Sequence, residues 1–282
     1  TPGSQDTRGG QGSRGAGGGQ DPSNSREVLE TVAAQVQAVL DRLAPAHTLP
    51  RKPEEGTLWH QLQTAIIDAY VARAQEHGSR GGRAVIMAGP PGAGKSQATS
   101  TAAQALGPHR SKEVGIDGTG WTTIDADDVK QLLLGSPVAG LEVDPALLAR
   151  ARHHWEDLIT THAPGPLADT RPLLRGELAT LVHPLSTDTA DLVRGDLLGE
   201  RFDVRIEGTL VGTGRGPRLV SELETADYAQ VTVIAVDTPQ DLCLAGAWQR
   251  WAGPRCRGEP TARYTPPTAV TSAFTTGPDG TP

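Results

Sequence analysis

A chain of 282 residues with 37% hydrophobic content is long enough for one α/β domain with an appendage, and 34 Gly and 22 Pro dilute its core with irregular segments. A net charge of −7 argues against the concentrated basic surface that a nucleic acid partner requires, and no apolar run is long enough to span a bilayer. Two cysteines, Cys243 and Cys256, are too few for a disulfide framework and lack metal-ligand spacing, which points to a reducing, cytoplasmic setting.

The chain opens at Thr1 without Met or an apolar leader, as a fragment would, and residues 1–25 are Gly, Ser and Gln with almost nothing to bury. They read as a disordered tail. Ser25 caps an expected helix whose apolar positions Val28, Val32, Val36, Val39 and Leu43 keep helical spacing. A Pro-rich break at 44–53 separates it from a second helix, Thr57 to His77, with Trp59, Leu62, Ile66 and Tyr70 along one face. Residues 26–80 thus form a helical N-terminal extension.

From Ala84 the pattern changes to strands alternating with helices. Ala84-Val-Ile-Met-Ala88 is apolar throughout, as a strand buried on both faces would be, and a helix is expected from Ser96 to Leu106. Trp121 to Ile124 is a second strand, followed by a helix from Asp128 to Leu134. Asp144-Pro145 opens another helix by the cap-then-proline rule. Pro184 is expected to interrupt the next helical stretch, with a new helix capped at Ser186–Asp188 and running to Glu200. Strands Asp203–Ile206 and Val231–Val236 follow, with helices near 217–226 and 239–252. The fold class implied is α/β: a P-loop NTPase-type three-layer fold with a central, mainly parallel sheet. Residues 267–282 read as a second disordered tail.

Between the first strand and its helix lies Gly89-Pro90-Pro91-Gly92-Ala93-Gly94-Lys95-Ser96, a complete Walker A pattern in the strand-then-helix context that it needs. Its glycines let backbone N–H groups converge on phosphate oxygens at the positive end of a helix. Lys95 would reach the β- and γ-phosphates of ATP, and the Ser96 hydroxyl would hold Mg²⁺. Lysine occurs only at 52, 95, 112 and 130, so one of four lies in this loop.

Just beyond the second strand, Ile124-Asp-Ala-Asp-Asp128 supplies carboxylates where an alcohol kinase needs one to accept the hydroxyl proton, and Asp127 suits that position. Capping of the following helix is the alternative use of the same acids. Glu207, at a strand end before Gly208, suits binding of substrate hydroxyls or a metal-bound water; an ordinary strand-end acid is the alternative. Arg250 and Arg263 suit stabilisation of charge on a transferring phosphoryl group, against the plainer reading as solvated surface arginines.

Together these segments resemble the zeta toxin family, P-loop kinases that phosphorylate UDP-N-acetylglucosamine. The resemblance rests on Gly89–Ser96, Ile124-Asp-Ala-Asp127, Ile206-Glu-Gly-Thr209 and Thr261-Ala-Arg-Tyr-Thr-Pro266, in the family's order across residues 84–266. It implies a kinase domain over 81–266, with Asp127 as base, Lys95 and Ser96 on ATP and Mg²⁺, and Arg250 and Arg263 facing the phosphates. It also implies Asp191, Glu207 and Thr209 as sugar-nucleotide contacts, with Asp191 shortened from the usual Glu, and a small helical antitoxin as a possible partner. For the extension, residues 26–77 packing near the ATP site and inhibiting in cis is the related expectation, with plain packing against the sheet edge as the alternative. The sequence departs from the family at Val211, where an Arg is usual and Arg215 or Arg218 stand nearby, and no His-Pro follows the base helix. Another small-molecule hydroxyl acceptor, such as an antibiotic, and a nucleotide-binding module with little catalysis remain the alternatives.

Overall fold

The computed structural model describes residues 25–117, 120–208, 210 and 214–274. Two long helices, α1 (Arg26–His47) and α2 (Leu58–His77), precede the first strand, β1 (Arg83–Ala88). The remaining elements are α3 (Lys95–Glu113), β2 (Thr122–Ile124), α4 (Ala126–Leu133), α5 (Pro145–His162), α6 (His183–Gly199), β3 (Val204–Glu207), α7 (Arg215–Thr225), β4 (Gln230–Ala235), α8 (Gln240–Cys256) and α9 (Pro267–Thr271). The four strands form one sheet in the order β2-β3-β1-β4, with every neighbouring pair parallel. This is the α/β class that the strand–helix alternation implies.

β1 lies between β3 and β4 and buries both of its faces. Ala84 and Ile86 join the main core, shared with α1, α2 and α4 to α8, while Val85 and Met87 face a small cluster with Ile116 and Trp121, onto which Ala102 and Ala103 of α3 pack. The sheet is therefore the middle of three layers. The N-terminal helices belong to the main core: Val32, Val36, Leu62, Ile66 and Tyr70 are all fully buried. Burial of that apolar stripe, at about 25 cal/mol per Å², supplies what helix propensity alone does not.

Several element boundaries differ from the sequence reading for local reasons. Helix α6 starts at His183 rather than at Ser186, because Pro184 falls in the first turn, where a missing N–H costs nothing. Helix α1 continues through Pro45 to His47, and α3 passes Leu106 to Glu113 across a kink at Gly107, whose φ is 73°. The stretch after Pro266, expected to be irregular, forms α9 and a 3-10 turn at Ser272–Phe274. Val270 is the reason: it is fully buried against Ala93, Cys243 and Ala247, beneath the phosphate-loop sequence.

Candidate active site

Ligands of open parallel sheets lie beyond the carboxyl ends of the strands, and the polar residues of this chain converge there. The segment after β1 turns back at Gly89–Gly94 and enters α3 through Gly94, at φ 77°. The Lys95 ammonium folds over the turn and donates to the carbonyl oxygens of Gly89 (3.1 Å) and Pro90 (3.4 Å). Burial lowers its pKa; the Glu207 carboxylate opposes that shift and the Arg250 guanidinium adds to it. The turn itself is braced by α8. A Cβ on Gly92 would meet the Cys243 carbonyl oxygen at 2.1 Å, and one on Gly246 would meet the Gly92 carbonyl oxygen at 2.3 Å, so two glycines permit the loop and helix backbones to touch. Thr238 Oγ1 also donates to the Ala93 carbonyl, at 3.1 Å.

The second wall comes from β2 and α4. Asp125 ends the strand and caps the helix, its Oδ1 accepting from the Asp127 N–H at 2.8 Å. That cap sets Asp127 in the first turn, where Lys130 Nζ donates to its Oδ1 at 3.0 Å and Arg263 Nη2 lies 2.8 Å from its Oδ2. Capping and a placed carboxylate, alternatives in sequence, are carried by two different acids of the same segment. Burial raises the Asp127 pKa, but the charges of Lys130, Arg263 and Arg250 outweigh it and hold the group down at about 2. Asp125 goes the other way, to about 6, through burial and then the charge of Asp127. Glu207, at the end of β3, is raised by burial, against the pull of Lys95 and Arg205. Helix α2 supports this wall from behind: Tyr70 Oη donates to the Asp125 carbonyl (3.3 Å) and Arg73 Nη2 to the Thr123 carbonyl (2.6 Å).

Arg250 on α8 and Arg263 in the following loop are registered by a buried ionic cluster. The fully buried Arg255 grips Asp169 through Nε (2.9 Å) and Nη2 (2.8 Å), and its Nη1 reaches Glu177 Oε2 at 2.9 Å. The other Glu177 oxygen accepts from Trp251 Nε1 at 2.8 Å. Beside it, Gly176 lies so close to the loop that a Cβ there would be 2.5 Å from the Ala262 carbonyl oxygen. One cluster therefore fixes both the helix that carries Arg250 and the loop that carries Arg263.

Gly94, Lys95, Ser96, Asp127, Asp191, Glu207, Arg250 and Arg263 line a single cavity of about 910 Å³. Pro91 lines an adjoining cavity of about 630 Å³ with Lys95, Asp127 and both arginines, while Gly89, Pro90, Gly92 and Ala93 form the turn itself. Asp191 sits at the far wall in a chain of ion pairs: Arg194 holds it at 2.7 Å and Glu222 at 2.9 Å, and Arg218 closes on Glu222 at 2.9 Å. Thr209 and Val211 lie outside the described residues.

No protein-family model matches the chain, and no curated protein matches it. Among solved structures it is similar to one from the PezAT chromosomal toxin–antitoxin system of Streptococcus pneumoniae, at 14% identity and a TM-score of 0.45 over 73% of this chain and 66% of that one. It is also similar to the AvrRxo1-ORF1:ORF2 complex with ATP, at 15% identity and a TM-score of 0.40 over 86% of this chain and 55% of that one. The same complex with sulphate ions gives 14% identity and a TM-score of 0.41 over 91% of this chain and 62% of that one. The chain thus spans between about half and two thirds of the proteins that it matches, at a level that bears on neither activity nor partners.

Sequence reasoning missed several residues that the fold brings to the cavity. Lys130 carried a signal in its rarity, being one of four lysines, two of which meet here. A His-Pro pair, absent after α4, occurs instead at His183-Pro184, and His183 lines the cavity. Arg51, from the segment between α1 and α2, had no local signal at all. Of residues 26–77 it alone lines the cavity; both helices cover the core instead of the phosphate loop. No helix among the described residues is long and apolar enough to cross a membrane.

Proposed function

We propose that the chain is an ATP-dependent phosphotransferase acting on an alcohol, with UDP-N-acetylglucosamine or a similar sugar nucleotide as acceptor and a small helical antitoxin as a candidate partner. The observation that carries this is that the phosphate-loop residues Lys95 and Ser96 share one cavity with Asp127, whose carboxylate Arg263 holds at 2.8 Å. In this reading the acceptor oxygen attacks the γ-phosphorus, the bond to the ADP oxygen breaks, and the acceptor proton passes to Asp127. A group with a pKa of about 2 is a weak base, which suits a loose transition state in which the proton moves late, and it sheds the proton readily afterwards. Lys95, Arg250 and Arg263 would meet the charge on the transferring oxygens.

Magnesium fits the donor set. Mg²⁺ in nucleotide sites takes one or two protein ligands beside phosphate and water oxygens, and the Ser96 hydroxyl opens α3 in a cavity that also holds the Asp125 and Glu207 carboxylates, whose pKa values burial raises. Bound there, the ion would neutralise β- and γ-phosphate charge.

The test is incubation of the full chain with labelled ATP and UDP-N-acetylglucosamine, together with a panel of other alcohols. Asp127→Asn should cut turnover by about 10²–10⁴-fold while ATP affinity changes little; undiminished transfer would remove Asp127 from its role. A second reading, nucleotide binding with little catalysis, draws on the full engagement of both Asp127 oxygens by Lys130 and Arg263. Tight ATP binding with no turnover on any acceptor would favour it.

A further inference from the structure

The cavity is more basic than the chain around it. Eight Lys or Arg and six Asp or Glu line it, although the whole protein carries a net charge of −7. Four of those cations already have carboxylate partners: Lys130 and Arg263 share Asp127, Arg194 pairs with Asp191 and Glu222, and Arg218 pairs with Glu222. Arg51, Lys95, Arg215 and Arg250 have no carboxylate partner among the described residues. Lys95 and Arg250 belong to the donor wall, at the phosphate loop. Arg51 stands outside that wall, Arg215 borders the adjoining cavity with Lys95 and Arg250, and the proposed reaction has given neither of them anything to do.

These two arginines line one cavity, and the backbone carries each of them there. The segment between α1 and α2 is fastened by the Leu49 N–H, which donates to the Leu181 carbonyl at 2.8 Å, and by the buried Leu49 side chain. Arg51 stands two residues past the first anchor and His183 two residues past the second, and both line the cavity. Arg215 enters from the first turn of α7 and also borders the adjoining cavity, again with His183.

We propose that this end of the cavity is an anion site for the acceptor, in which Arg51 and Arg215 take a phosphate that the acceptor already carries and His183 offers it a ring nitrogen. The site rests on the phosphotransferase reading and says which residues hold the phosphates of a sugar nucleotide or of another phosphorylated alcohol. Guanidinium groups suit phosphate because their planar forks match its oxygens in pairs. The electrostatics agree. Burial, then the charges of Lys130 and Arg215, then that of Arg51, depress the His183 pKa to about 4, with only Asp127 among the leading influences opposing them, so the ring is neutral at pH 7 in a positive field. At about 910 Å³ the cavity has the size of a full ligand pocket rather than of a triphosphate clamp alone. It follows that the N-terminal helical pair is part of the acceptor site: the segment that looks like an appendage in the sequence supplies a substrate ligand.

The experiment compares wild type, Arg51→Ala, Arg51→Lys and Arg215→Ala in the full chain. With UDP-N-acetylglucosamine, each alanine variant should raise the acceptor KM roughly tenfold, as loss of a charge-assisted contact made equally in ground and transition states does. The KM for ATP should not move, and Arg51→Lys should restore part of the loss. N-acetylglucosamine, which lacks the phosphates, should be a poor acceptor and equally poor for all four proteins. An acceptor KM for Arg51→Ala within a factor of about two of wild type, or equal use of the phosphate-free sugar, overturns the site. If no acceptor turns over, the reaction proposed above fails while the site is still tested. With the phosphate loop filled by Mg²⁺ and a non-hydrolysable ATP analogue, calorimetric titration with pyrophosphate should show one binding event, weakened in Arg51→Ala and Arg215→Ala. Absence of binding to wild type, or equal binding to the variants, overturns the proposal. Arg51 is solvent-exposed, so its removal should leave the melting temperature in place.

Discussion

The two ends of the cavity are built by different means. In the proposed reaction the core of the donor end is eight consecutive residues, Gly89 to Ser96, which would act through backbone groups and one lysine, with Arg250 of α8 beside them. The proposed acceptor end would be assembled from side chains of separate elements: Arg51 between two helices, His183, Asp191 and Arg194 on α6, and Arg215, Arg218 and Glu222 on α7. A contiguous site carries its geometry in local sequence, whereas an assembled one exists only after the core has formed. The donor end should therefore fail all at once when one residue is changed. The acceptor end should fail in steps.

Lys95→Ala gives the largest step. Removing the ammonium takes away the single flexible cation of the phosphate loop, and turnover should fall about a thousandfold with the fold intact; a loss below about tenfold would mean that the donor end is not built around this residue. Next comes Arg255→Leu, far from any ligand. It leaves Glu177 as a buried carboxylate without its cation and Asp169 with only the longer Arg171 contact at 3.3 Å, at a cost of about 3–5 kcal/mol. Because the same cluster registers the elements carrying Arg250 and Arg263, the protein that remains folded should also lose turnover. Chemical denaturation and kinetics on the same sample test both parts, and an active, merely destabilised variant would separate the cluster from the site.

What the sequence shows of this molecule follows the same division. The phosphate loop, the β1 run and the acids at 125–127 could be read because strand burial, loop geometry and helix capping are local rules. The fold class followed from the alternation of such signals. Arg250 and Arg263 could be preferred over the plainer reading as surface residues only through a family resemblance, since in an Arg-rich chain nothing local distinguishes them. Arg51 could not be named, because its place at the cavity follows a hydrogen bond between Leu49 and Leu181, more than a hundred residues apart. The boundary at α6 failed for a smaller reason: Pro184 breaks a helix interior but suits its first turn, and the chain alone does not say which applies.

Gly246→Val tests whether the donor end is as self-contained as its sequence suggests. The new side chain would press on the Gly92 carbonyl, and overpacking of this kind costs about 1–3 kcal/mol. If the loop depends on α8, ATP affinity and turnover should both fall, with the acceptor KM less affected. If the loop holds its shape alone, only stability should change, and thermal melts beside nucleotide titrations tell the two apart.

The smallest effect concerns Asp125, where capping and burial oppose each other. Its pKa in the folded protein is about 6, above the ordinary 3.8, so the folded state binds more protons than the unfolded one between those values. Stability is therefore lost through this group as pH rises from about 4 to 6, and the loss is complete above 6. Asp127 has the opposite sign: held at about 2, it contributes stability that is present above pH 4 and disappears as pH falls toward 2. Asp125→Asn keeps an oxygen to accept from the Asp127 N–H and removes the charge. The variant should be more stable than wild type by about 1 kcal/mol at pH 7, with the advantage shrinking through pH 6 and gone by pH 4. A pH-independent difference would assign the effect to the cap rather than to the buried charge. The acid of the capping pair would then be as local in its action as the phosphate loop is in its sequence.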